Sequence, residues 1–204
     1  GGYLLVFASN KDRRAAGSDT LATSYTLVKG IEKIHRERPV DLIFSGKQAI
    51  DGDTAQTGPG MATRLGFTLL TYVVEVQEID EKTRQIQVKR RIEGRLEIIR
   101  GPLPALVTAE LDLAKPRRAP LPSLIQSMRA GVKQWNADAI EAEPSKLGLK
   151  GSATWVKRIF SPPVRQGGPR FSVQENPEGA VEQSLDVLLS DPSFAQKLST
   201  RWKA

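Results

Sequence analysis

The sequence contains no cysteine and a single histidine, His35. Without thiols the chain forms no disulfide, holds no iron–sulfur cluster and offers no thiolate to zinc, and one imidazole cannot build a multi-histidine metal centre. His35 lies in a stretch of helical pattern beside Lys33, Arg36 and Arg38. A solvated position accounts for it, and nothing pairs it with a serine or carboxylate as a catalytic base, so no catalytic set is expected. Aromatic residues make up only 6% of the chain and are not interleaved with the basic groups Lys89-Arg90-Arg91 and Lys115-Pro116-Arg117-Arg118. The formal charge of +7 therefore reads as a basic surface or a docking face for an acidic partner, and no nucleic-acid partner is expected. No apolar run is long enough to cross a bilayer. Also absent is an initiator methionine: Gly1-Gly2-Tyr3-Leu4-Leu5 opens directly on a strand-like run, so an upstream segment is expected.

What remains is an ordinary globular composition over 204 residues, enough for one large domain or a domain with an arm. Tyr3 to Ala8 reads as a buried strand. From Thr20 to Arg38 the apolar residues Leu21, Tyr25, Leu27, Val28, Ile31 and Ile34 recur at helical spacing, with Ser18 or Asp19 as the N-cap and Pro39 as the stop. Val40 to Ser45 is the next strand, which completes the strand–loop–helix–strand unit of a parallel sheet. A helix follows from about Pro59 to Leu65. Alternation over Leu69–Glu78, Gln85–Arg91 and Arg95–Arg100, with turns at Asp80–Thr83 and Glu93-Gly94, predicts a small antiparallel section, and Ala105–Ala109 a buried strand. Beyond Leu111 the pattern predicts a helix over Leu121–Val132, a strand over Val156–Phe160 stopped by Pro162 and Pro163, a loop over Gln166–Pro169, and a last amphipathic stretch from Ala180 towards Leu198. Trp135, Trp155 and Trp202 are too far apart to form a stacking platform, and burial in a core or interface is expected of them.

The chemistry is concentrated in two polar loops. The first carries Asp12, Arg13, Gly17, Ser18, Asp19, Thr20, Thr23 and Ser24; the second runs from Gly46 to Gly60 and carries Gln48, Asp51, Asp53, Thr54, Gln56, Thr57 and Gly58. Both are expected at the carboxyl ends of parallel strands, where open α/β sheets bind ligands. Strand, glycine-rich turn and helix together present backbone N–H groups and a positive helix end to a phosphate. Caps and turns suffice to explain the first loop. The second is too long and too poor in apolar residues for a plain connection. Asp51 and Asp53 suit a ribose hydroxyl or a helix cap better than magnesium, which gathers more oxygen ligands.

Gly46-Lys47-Gln48-Ala49-Ile50-Asp51, followed by Asp53 and Gln56-Thr57-Gly58, resembles the signature of the electron transfer flavoprotein beta subunit. The likeness continues through Leu103-Pro104-Ala105-Leu106-Val107-Thr108-Ala109, Lys115-Pro116-Arg117, Leu121-Pro122-Ser123-Leu124 and Phe160-Ser161-Pro162-Pro163 with Arg165 and Gly167-Gly168. It covers nearly the whole chain and lacks the family's first strand and following helices. The resemblance implies a flavodoxin-like α/β fold: a parallel sheet with helices on both faces, a small antiparallel section and an extended C-terminal arm. It implies a nucleotide-binding domain over residues 1–145 and an arm and helix over 146–204 that contact an alpha subunit.

The family binds an adenine nucleotide at the second loop, AMP in the housekeeping branch and a second FAD in the branch that oxidises NADH and bifurcates its electrons. Gly17-Ser18-Asp19-Thr20-Leu21-Ala22-Thr23-Ser24, after Asp12-Arg13, is similar to the NADH-dependent branch and favours FAD, with AMP as the alternative. The cofactor contacts so implied are Asp12, Arg13, Gly17, Ser18, Asp19, Thr20, Thr23 and Ser24, then Gly46, Gln48, Asp51, Gly52, Asp53, Thr54, Ala55, Gln56, Thr57 and Gly58, with Arg13 as the cation near the flavin ring. Ala119 to Met128 resembles the family's recognition loop, with Leu121 as anchor and Pro122, Leu124 and Ile125 beside it. The partners implied are the alpha subunit and flavin dehydrogenases such as acyl-CoA dehydrogenases, with NADH a candidate donor and a quinone oxidoreductase a candidate acceptor. The compartment implied is the cytoplasm of a bacterium or archaeon, or the mitochondrial matrix of a eukaryote.

Overall fold

The helical spacing after Asp19 becomes helix α1, Thr20–Glu37, in the computed structural model, which describes residues 2–5, 12–130, 132–164, 169–174, 176–192 and 194. Asp19 is its N-cap, accepting from the backbone N–H of Leu21 and Ala22, and Arg38 leaves the helix just before Pro39. The residues α1 buries are mostly small: Ala22, Ser24, Thr26, Val28 and Gly30. Leu21, expected on the inner face, is half exposed. The reason is the close approach of helix α2, Thr57–Leu65, whose Gly60 lies against the Ser24 side chain. Two helices this near leave room between them only for small side chains.

The remaining elements are strands β1 (Gly2–Leu5), β2 (Leu42–Gly46), β3 (Thr68–Asp80), β4 (Gln85–Ile92), β5 (Arg95–Pro102), β6 (Ala105–Ala109) and β7 (Val132–Trp135), and helices α3 (Leu121–Arg129), α4 (Gly148–Gly151) and α5 (Pro177–Leu189). The main sheet has the order β2-β6-β3-β4-β5. Strands β2, β6 and β3 are parallel, and β3, β4 and β5 form the antiparallel section read from the alternation. The fold is α/β and flavodoxin-like.

Strand β6 carries no polar partner-seeking side chain except Thr108. Its Ala105, Leu106 and Val107 are fully buried, as befits a parallel strand with neighbours on both sides. Leu106 packs with Val28, Met61 and Ala62 of the helices, while Ala105 and Val107 pack with Leu70, Val73, Ile86 and Val88. Tyr72 interrupts the β3–β6 register with φ at 56°, and its N–H turns to the Thr108 hydroxyl oxygen, 3.1 Å away.

The structure departs from the sequence reading in further places. β1 does not lie beside β2; it pairs in parallel with β7 in a separate two-stranded sheet. The helix expected to run to Val132 ends at Arg129, because Val132 begins β7. Residues 156–160 take no strand. Trp155 is exposed, whereas Trp135 is buried with Ala137, Ile140, Ala142 and Leu147 beneath the Lys33 ammonium. Ala8, Gln166 to Gly168, Leu198 and Trp202 lie outside the described residues.

Two compact units divide the chain, Gly1–Lys157 and Arg158–Ala204. Residues 146–157, expected in the arm, fall in the first unit because Leu147 is part of the Trp135 core and Ser152 to Thr154 bond Asp19. The second unit contains α5, capped by the Asn176 side chain on the Gly179 N–H. Among the described residues no helix is long and apolar enough to cross a membrane.

Candidate nucleotide site

The first loop is bound almost entirely to protein. Asp12 is buried and accepts from the Arg14 N–H (3.1 Å), Arg14 Nε (3.0 Å), Arg14 Nη2 (3.0 Å) and the Ala137 N–H (3.1 Å). The Arg14 guanidinium, followed by the Ala137 amide, overcomes desolvation and holds the Asp12 carboxyl down to about 2. Arg14 also forks onto Asp138, at 2.6 and 2.7 Å, which lowers the Asp138 carboxyl and raises the guanidinium further.

Desolvation raises the Asp19 carboxyl, but bonds from the N–H groups of Ala22, Thr154 and Ala153 and from the Thr154 hydroxyl outweigh it and leave it lowered. Its own N–H donates to Ser152 Oγ at 2.8 Å. Ser18 donates its hydroxyl to the Ala15 carbonyl, and Gly17 turns the chain at φ 74° against Leu149. Ser24 is buried between α1 and α2, which removes it from the loop surface. Arg13 is exposed, and among the described residues its side chain makes no bond.

A pH dependence follows from Asp12. Its folded value lies below its unfolded one, so its contribution to stability is complete above about pH 4 and is lost as the pH falls towards 2. Unfolding free energy should drop by about 2 kcal/mol across that window through this one group. Urea titrations at pH 5 and pH 2.5 measure it, and Asp12→Asn should remove that part of the slope; an unchanged slope would mean the carboxylate is not clamped.

The second loop is open. Lys47 at its root is drawn away from it, bonded through its N–H to the Ala109 carbonyl and through Nζ to Glu110 (3.1 Å) over the Tyr72 ring. Gln48 donates to Asp53, whose N–H returns to the Ala49 carbonyl. Asp53 and Ala55 adopt positive φ, 48° and 53°, a costly conformation for residues with a Cβ. Asp51, Gly52 and Thr54 are exposed, and a Cβ on Gly46 or Gly52 would meet only open space.

Among the described residues the two loops meet at one bond: the Thr20 hydroxyl donates to Gln56 Oε1 at 2.9 Å. Gln56 is the N-cap of α2, and among the described residues no side chain caps that end. The two helix starts are therefore opposite in kind. The α1 start is closed by the Asp19 carboxylate. The α2 start, with the Thr57 and Gly58 amides and the Thr57 hydroxyl, remains able to take an anion. Thr23 is half-buried one turn into α1.

Sequence reasoning found the loops but missed their supports. Asp138, Ser152 and Thr154 carry no local signal, since their partners lie far away along the chain, and the local Arg14–Asp12 pair gives no hint of Asp138, 124 residues on. The proposed contact residues Leu121, Leu124 and Ile125 are exposed on α3, a helix with no buried residue, and Pro122 sits in its first turn. Lys89, Arg90 and Arg91 are paired with Glu75, Glu97 and Asp112.

Comparison with known proteins joins this geometry to a lineage. Residues 10–140 match the electron transfer flavoprotein domain. The chain is 43% identical over 192 residues to Protein FixA of Bradyrhizobium diazoefficiens, covering 93% of this chain and 66% of that protein. It is 41% identical over 194 residues to Protein FixA of Azotobacter vinelandii, covering 93% and 69%. It is 37% identical over 183 residues to the electron transfer flavoprotein subunit beta of Megasphaera elsdenii, covering 88% and 67%. The chain thus spans about two thirds of the length of these relatives.

Proposed function

The chain belongs to the electron transfer flavoprotein beta-subunit family, and from that premise we propose that it is the nucleotide-holding half of a heterodimer with an alpha subunit, carrying electrons between flavin dehydrogenases and a downstream acceptor. The observation that carries the reading is the contrast between the two helix starts, α1 closed by Asp19 and α2 left uncapped beside the Thr20–Gln56 bond. The residues fit a phosphate: amides of a helix N-terminus, hydroxyls at Thr57 and Thr54, and glycines without neighbours at 46 and 52.

The bound nucleotide is FAD in this proposal, its diphosphate at the α2 start and Arg13 near the rest of the molecule. FAD supplies the redox chemistry when bound; the chain binds it, orients it and keeps the Asp12 and Asp19 carboxylates away from its phosphates by committing them to protein donors. Oxidation of NADH with electron bifurcation is the form this activity takes if two flavins are present in the complex. A second reading is AMP as a structural ligand. It is favoured by the fact that only one of the two helix starts is open, which seats one phosphate as comfortably as two. The exposed apolar residues of α3, Leu121 foremost, are the proposed anchor for a dehydrogenase such as an acyl-CoA dehydrogenase, and the arm beyond Lys157 is the proposed grip on the alpha subunit.

Nucleotide analysis of the purified complex tests the proposal directly. Two FAD per heterodimer is the expected result. One FAD and one AMP transfers the site to the second reading, and a single FAD with no second nucleotide defeats both.

A further inference from the structure

Two arginines stand side by side at the start of the first loop, and the structure gives them different work. Arg14 is pinned. Its Nε and Nη2 reach both oxygens of Asp12, its Nη1 and Nη2 reach both oxygens of Asp138, and its own N–H adds a further bond to Asp12. Little donor capacity remains on it for a ligand. Its two carboxylate partners outweigh its charge, so the trio repels an anion. Arg13 is exposed and makes no side-chain bond among the described residues. Both belong to one tight turn, residues 13–16, closed by the Ala16 N–H on the Arg13 carbonyl at 2.9 Å. Behind that turn Gly148 stands directly against the Arg14 carbonyl, so the backbone is fixed from the other side as well.

We propose that the Asp12–Arg14–Asp138 clamp is a positioning device that fixes the turn from which Arg13 reaches the nucleotide, with Asp138 its specifying member. The proposal rests on the reading that a nucleotide phosphate or flavin lies beside Arg13. Its physical content is preorganisation: a side chain presented from a rigid turn loses less freedom on binding than one presented from a mobile turn. Asp138 is the informative residue because positioning and plain electrostatics predict opposite signs for its removal. Asp138→Asn deletes a negative charge near the site, so charge alone would tighten the binding of an anion. Loss of positioning would weaken it. The Asp138 side chain is 75% exposed, so its variant keeps the fold.

The experiment titrates the heterodimer, stripped of nucleotide, with FAD and in parallel with AMP. Arg13→Ala should weaken binding about tenfold, the worth of one charge-assisted hydrogen bond. Asp138→Asn and Arg14→Lys should each weaken it about threefold, although one raises the net charge and the other leaves it unchanged. In an Arg13→Ala background both effects should vanish, because there is no longer a cation to position. Tighter or unchanged binding in Asp138→Asn overturns the proposal, as does a full effect that persists without Arg13. Unchanged binding in Arg13→Ala itself overturns the placement of the nucleotide beside this loop, which separates that failure from the failure of the clamp.

Discussion

Gly148→Ala lowers the free energy of unfolding by about 3 kcal/mol, a large loss for a residue outside the apolar core. Two costs combine. Gly148 has φ 57°, in the left-handed region, where a Cβ is strained. The added Cβ would also lie 2.3 Å from the Arg14 carbonyl oxygen and 3.1 Å from that of Ala16. Both obstacles are backbone, so no side chain can swing aside. Either the first loop moves outward, breaking the Arg14–Asp138 fork and the Asp12 bond to Ala137, or Leu147 is drawn out of the core around Trp135. Equilibrium denaturation in urea measures the change, and a loss below about 1 kcal/mol would mean that the loop is not seated on α4 as described.

That contact also marks where the sequence stops being readable. Strands β3 to β6 were legible because alternation over five or more residues, or a solid apolar run, is a signal written locally. β7 was not, since Val132-Lys133-Gln134-Trp135 is too short to show a period, and its pairing with β1 joins residues far apart in the chain. The inner face of α1 was misjudged for a related reason. Periodicity marks large apolar residues, whereas this helix is buried along Ala22, Ser24 and Gly30 because α2 comes so close.

In the first loop the difficulty is chemical. Asp, Ser, Thr and Gly serve equally as helix caps and as a phosphate seat, so composition finds the loop and leaves its role open. Part of what ties Asp12 and Asp19 to protein comes from far along the chain: the amides of residues 137, 153 and 154 donate to the two carboxylates, and Ser152 Oγ accepts from the Asp19 N–H. The second loop was legible in its position, because so long a stretch with so few apolar residues is itself a signal; its part in holding a nucleotide belongs to the proposal above.

If the uncapped start of α2 holds the phosphate, then whatever fixes that start controls affinity, and Gly58 fixes it. Gly58 is buried in the first turn of α2, where an added Cβ would lie 2.8 Å from Thr108 Cγ2 and 3.4 Å from Ser45 Oγ. Thr108 cannot easily yield. It is 2% exposed, and turning it would take its hydroxyl from the Tyr72 N–H at the bulge of β3. Gly58→Ala therefore lifts the first turn of α2 off the carboxyl ends of β2 and β6 and moves the Thr57 and Gly58 amides. The variant should still fold, at a cost of about 1–2 kcal/mol, but should bind FAD about a hundredfold more weakly, the loss of two hydrogen bonds to a charged phosphate. Thr63→Ala is the control, since it alters the same helix at an exposed position beyond its first turn, and it should leave affinity within about threefold of the original. Titration of both variants separates the alternatives. Full affinity in Gly58→Ala would place the phosphate away from α2, whereas equal losses in both would mean that the helix as a whole, and not its first turn, governs affinity.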